Sequence, residues 1–202
     1  MKRGMFLGVV VCTVITIAHA ESPTTNHGFE REVAFDGCHF KITDLYGGRV
    51  TGASYFATIN PKANHPFETW IQFYCEKSSA DKAFLAMGMK RSSSQWVLAE
   101  DSYKPLPEEH VAVYPLQNAS WTGAAMGSDQ TTGDLNDRMR QLGFCLTNMR
   151  QILCGSIQQV MFVGYPKEST LPQVIQLLES IEFIDTPSGP SINATTAAPS
   201  QP

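Results

Sequence analysis

Gln141 to Gln158 reads QLGFCLTNMRQILCGSIQ, and this stretch decides how the chain folds. If Met149-Arg150 forms a two-residue turn, Asn148 faces Gln151, Leu146 faces Leu153 and Cys145 faces Cys154. Side chains alternate along a strand, so the same register places Leu142, Phe144, Leu146, Leu153 and Ile157 on one face. One pairing therefore satisfies an apolar face and a disulfide together. Counting outward from the turn also puts the cysteines at a non-hydrogen-bonded pair, where Cα atoms approach to about 4.5 Å, within disulfide range. Met-Arg lacks the Asn-Gly or glycine chemistry that tight hairpins favour, and a longer loop would shift the register.

Three further cysteines lie upstream, and one of them belongs to a leader. Lys2 and Arg3 precede an uncharged apolar run from Met5 to Ile17, and Ala18-His19-Ala20 forms a small-x-small cleavage site before Glu21. That pattern reads as a signal peptide over residues 1–20; the run is shorter than the roughly 20 apolar residues of a spanning helix, the competing reading. Cys12 leaves with the leader, and Val11 before it does not suit lipidation. The remaining four cysteines, Cys38, Cys75, Cys145 and Cys154, form an even set in an exported chain, which favours disulfides over free thiols. With Cys145 and Cys154 paired in the hairpin, Cys38 is left to pair with Cys75.

The segment 21–32 is polar and reads as loose, and a single domain is expected over residues 33–185. From Thr186 the chain runs TPSGPSINATTAAPSQP, a Pro/Ser/Thr mixture too poor in bulky apolar residues to order itself, so residues 186–202 read as a disordered tail. Asn118-Ala119-Ser120 and Asn193-Ala194-Thr195 match the glycosylation sequon, a tripeptide that arises often by chance. Between the ends the dominant period is two. Phe40 and Ile42 alternate with polar neighbours, as do Ala53, Tyr55, Ala57 and Ile59, and Phe67, Ile71, Phe73 and Cys75 share one face. Further strands are expected near Gln95–Glu100, His110–Leu116, Ser120–Gly127 and Glu182–Ile184. A short helix is expected from Ser79 to Met87, with Ser79 as cap and Gly88 as stop. A second, amphipathic helix follows Pro166, with Thr170 and Gln173 as a capping box and Leu171, Val174, Ile175, Leu178 and Ile181 as its apolar stripe. The expected class is α+β: a mainly antiparallel, disulfide-stapled sheet with a C-terminal amphipathic helix and a short second helix.

The closing segment, Val160 to Ile184 (VMFVGYPKESTLPQVIQLLESIEFI), resembles the end of the PsbP/Mog1/DcrB-like families, in which a core strand, a loop and an amphipathic helix lead to an S-hydrophobic-x-F element. Ser180-Ile181-Glu182-Phe183 matches that element here. The resemblance implies an antiparallel sheet sandwiched by helices and an exported, non-catalytic binding or assembly factor. It supplies no catalytic residues to carry over.

The residues argue against several functions. A net charge of −4 and a pI near 5.7 give no cationic footprint for nucleic acid. Nucleophile elbows, zinc-protease helices, Cys-x-x-Cys pairs and phosphate loops are absent from the sequence. His27, His39, His65 and His110 are scattered, so neither a metal nor any other cofactor is expected. Cys38 and His39 are adjacent on a strand and point to opposite faces, which makes a thiolate-imidazole pair unfavourable. Glu108-Glu109-His110 reads as a solvated loop. No catalytic residue is assigned, and the chain is read as a non-enzyme. What remains is a face: opposite Ile71 and Phe73, the strand presents Trp70 and Tyr74 among Glu68, Gln72 and Glu76, a composition suited to protein binding. A helix covering that face would instead make Trp70 and Tyr74 core. The expected role is a periplasmic or secreted module that binds a protein partner in the bacterial envelope, with an immunity protein or inhibitor of a periplasmic toxin as one form. A small-ligand-binding or assembly factor is the alternative, and a hydrolase with a dispersed site is a third reading.

Overall fold

The computed structural model describes residues 28–148 and 150–184. The expected leader, most of segment 21–32 and the expected tail lie outside the described residues, as do Cys12, His27 and the Asn193 sequon. The elements follow in chain order: β1 (Phe29–Phe35), β2 (Cys38–Asp44), β3 (Arg49–Thr51), β4 (Ser54–Ala57), β5 (Thr69–Cys75), α1 (Ala80–Ala86), β6 (Met89–Ser92), β7 (Gln95–Leu98), β8 (Ala112–Gln117), β9 (Thr122–Asp129), β10 (Met139–Thr147), β11 (Ile152–Phe162), α2 (Leu171–Glu179) and β12 (Glu182–Phe183). β1 begins ahead of Val33, where the sequence places the start of the folded part, and pairs with β2 along its whole length.

The hairpin of β10 and β11 is the centre of the molecule. Cys145 pairs with Cys154 and Leu146 with Leu153, and the Asn148 N–H donates to Gln151 O across the turn at 3.4 Å. Around it a seven-stranded antiparallel sheet runs in the order β3-β4-β5-β11-β10-β9-β8. Its inner face carries Tyr55, Ile71, Phe73, Leu142, Phe144, Leu146, Leu153 and Ile157, all buried. A second sheet, β1-β2-β12, closes over that face with Val33, Phe40 and Ile42, and α2 adds Val174, Leu177 and Leu178. The strict in-out alternation of β2 is what lets Phe40 reach Phe73 edge to face, with ring centroids 5.1 Å apart.

Both disulfides bind this frame. Cys38–Cys75 joins the small sheet to β5 with Cα atoms 5.5 Å apart, and Cys145–Cys154 spans the hairpin at 4.0 Å. The second bridge lies on the outer face, where Ala83 and Phe84 of α1 and Met89 of β6 bury it. Ser79 caps α1 by accepting from the Lys82 N–H, and Gly88 ends it at φ +74°.

The expected α+β class is corrected: the fold is β-rich. Among the described residues 46% lie in strands and 14% in helices, and the α-helices are seven and nine residues long. A second sheet takes the place that a helical layer would need, because β1 and β2 supply an apolar face large enough to cover the core. The capping box at the C-terminal helix is also absent. Thr170 is buried and turns its hydroxyl to Val160 O at 3.1 Å, which its N–H also reaches at 2.8 Å. Val160 belongs to an irregularity in β11, where the pairing shifts between Arg140 and Leu142, and its freed carbonyl claims the threonine that the helix would have used.

Candidate functional site

Alternation along β5 sends Ile71 and Phe73 inward and Trp70, Gln72 and Tyr74 outward, and Glu68 lies exposed just before the strand. The outer face is only partly covered. At one end α1 and the β6-β7 hairpin lie over Cys145, Cys154 and Ala124; beyond them the sheet surface is open. Tyr74 stands at the border, 39% exposed, with its hydroxyl 3.7 Å from Met87 Sδ at the end of α1. Burial, aided by nearby Glu76, raises its phenol above the ordinary value. Gln72 is exposed and Trp70 half-buried.

Trp70 gains its place from a row across three strands. Arg49, Phe56 and Trp70 are register partners on β3, β4 and β5. The guanidinium carbon of Arg49 lies 4.4 Å from the Phe56 ring centre, and Phe56 stacks on Trp70 at 5.8 Å with the planes 12° apart. Arg49 also donates to both oxygens of Glu68, at 2.6 and 3.3 Å, and this holds the Glu68 carboxyl below its usual range. Trp70 Nε1 is shielded from solvent and has no hydrogen-bond partner.

On the far side of β5 the face deepens into a groove over β11, β10 and β9, with a volume of 490 Å³. Gly143 lies in its floor, Met87 and Met126 at one end, Met139 at the other, and Gln141, Ser128, Ser156 and Gln158 between them. The four residues singled out in the sequence thus lie along one edge of a larger surface. Phe56, Arg49 and the groove residues were not found from sequence, because they come from β3, β4, β9, β10, β11 and the end of α1 and meet only in the folded sheet. Alternation around Phe56 was the signal for that residue, and the hairpin register already turned Gln141, Gly143, Ser156 and Gln158 away from the apolar face.

The remaining candidates are engaged in local contacts. His39 bonds Glu32 at 2.6 Å on the exposed side of β2, away from the disulfide of Cys38. His65 stacks on Tyr165 at 3.6 Å and bonds Glu168. Glu109 accepts from Leu106 N and Tyr103 OH, closing its own loop, while His110 at φ +40° bonds the buried Asp129, which Arg140 Nε also meets at 2.6 Å. Among the described residues no group of three or more His, Cys, Asp or Glu side chains could hold a metal ion, and no helix is long and apolar enough to cross a membrane. Trp96 stacks on Phe84, and Trp121 donates to Ile181 O, so both are packing residues. Asn118 of the first sequon is engaged as well: its amide donates to Ile181 O at 2.8 Å, and its oxygen accepts from Ser120 and Trp121. No family model matches this chain, and no curated protein does.

Proposed function

We propose that this chain is an exported, non-enzymatic module that binds a protein partner in the bacterial envelope through the open part of its outer sheet face. The observation that carries the reading is the row of Phe56 and Trp70 beside exposed Gln72 and Tyr74, on a sheet whose other face packs against the second sheet and α2. Aromatic residues with polar tips and neighbours are the composition of interface centres. The unpaired indole N–H of Trp70 points the same way, because a shielded donor without an acceptor is destabilising and favours a rearrangement that supplies one. The leader-like first residues, the two disulfides and the resemblance of Val160–Ile184 to families of exported binding factors support the cellular setting. An immunity protein or inhibitor of a periplasmic toxin is one form of this role.

The test is position-specific photocrosslinking in the periplasm of the producing cell. A photoreactive residue at Gln72 gives one discrete adduct, weakened by Tyr74→Ala, while the same group at exposed Leu135 gives none. Equal adducts from both positions, or none from Gln72, refute the reading.

A further inference from the structure

The groove beside β5 differs from the other clefts of the molecule in its chemistry. The cleft near Cys75 is lined by Asp36, Glu76 and Lys77, and the clefts at β12 and at Pro105 also carry charged side chains. The groove over β10 and β11 is lined by methionine, glutamine, serine and glycine, with no ionisable group. A charged segment placed there would lose hydration and find no counter-charge, whereas an uncharged one would not. Gln141, Ser156 and Gln158 offer both donors and acceptors, the inventory needed to satisfy a peptide backbone.

The floor and wall add shape. A side chain at Gly143 would meet Met87 Sδ at 3.0 Å, and one at Gly88 would meet Met126 Sδ at 3.1 Å, so both thioethers rest against bare backbone. Methionine is the most adaptable apolar wall, because its side chain is flexible and polarizable. From Gly143 to Met139 the groove follows four residues of β10, about 13 Å at strand spacing, the reach of about four extended residues.

We infer that this groove receives an extended, uncharged stretch of the partner chain, with an apolar side chain seated against the Met87 and Met126 thioethers that cover Gly143 and Gly88. This rests on the protein-binding reading above and specifies the partner's contact segment.

The intact mature protein is panned against a phage-displayed library of random heptapeptides, and selected peptides are measured on the parent, Gly143→Val and Gln141→Glu. The expected result is a set of peptides free of Asp, Glu, Lys and Arg at their shared positions, bound about tenfold more weakly by either variant, with unchanged circular dichroism. Gln141→Glu keeps the test decisive should Gly143→Val disturb the strand. Charged consensus peptides, no selected peptide, or equal binding to folded variants overturns the inference. So does loss, on the same substitutions, of binding to purified uncharged glycan strands in place of peptides. If the Gln72 adduct forms and neither substitution changes it, the groove inference fails and the face reading stands; if that adduct never forms, the face reading itself fails.

Discussion

Tyr55→Phe removes one oxygen atom from the join between the two sheets, and the structure sets the size of its effect. Tyr55 is fully buried, and its hydroxyl donates to Asp44 Oδ1 at 2.8 Å. The Asp44 side chain is 0% exposed; it also accepts from the Tyr46 N–H at 3.0 Å and lies 3.4 Å from Arg31 Nη2. Burial alone would raise the Asp44 carboxyl, but the bonds from Tyr55, Tyr46 and the Gly48 backbone, with the charge of Arg31, outweigh it and hold the group below its ordinary value. The ring itself stays packed against Gly48, so phenylalanine leaves little cavity and the loss is mainly the bond to a buried carboxylate. Hydrogen bonds to charged groups contribute about 1.5–3 kcal/mol. A loss of about 2 kcal/mol lowers the melting temperature of a domain this size by about 4–8 °C. The sign of the pH dependence follows from the depressed folded value. Such a carboxylate contributes stability in full above its unfolded pKa of about 3.9, and loses it as pH falls through the lower folded value. Tyr55→Phe therefore costs most at neutral pH, moves the acid transition upward, and costs less where Asp44 is protonated in both proteins. Thermal melts from pH 7 to pH 2, repeated in an Asp44→Asn background, measure this. A cost below about 0.5 kcal/mol, or one unchanged by pH and by Asp44→Asn, would refute the reasoning.

Reduction of both disulfides lowers the melting temperature; by loop length the 37-residue Cys38–Cys75 bridge contributes about 4 kcal/mol and the 9-residue Cys145–Cys154 bridge about 2.5 kcal/mol, to be compared by single Cys-to-Ala pair replacements. Timed alkylation under mild reductant labels Cys38 and Cys75 first, since Cys75 is partly exposed whereas Cys145 and Cys154 are buried. Gly155→Ala costs more than about 1 kcal/mol in urea melts, because the new Cβ meets the Phe144 ring and lies 2.6 Å from the Gln72 carbonyl oxygen, which cannot yield without moving β5. Leu178→Ala costs about 2–5 kcal/mol by the same assay, as its side chain is fully buried between α2 and the sheets. Tyr74→Ala leaves the circular dichroism spectrum and melting temperature almost unchanged; a melted spectrum would show that the outer face is core.

The hairpin was legible because two independent demands, a paired cysteine and an apolar face, agree on one register, and Cys145 opposite Cys154 meets both. The strands around Tyr55 and Ile71 were legible for the same local reason, a period of two. The second sheet was not. β12 pairs with β2 across some 140 residues, and nothing in the alternation of Phe40 and Ile42 says which distant strand lies beside them. The helix class was overweighted because an apolar stripe reports the type of an element and not its share of the fold: α2 is nine residues long. At the candidate site, the outward set of β5 could be read from alternation, while Gly143, Met87 and Met126 carry no local sign of a common groove.

The bridges close in the order in which the cysteines occur: Cys38 with Cys75, then Cys145 with Cys154, each with the next of the four along the chain. A chain emerging amino-terminus first from a ribosome or translocation channel would expose the second cysteine of each pair before any later competitor. An oxidase that joins thiols as they appear would then make the native set directly, with no isomerase step.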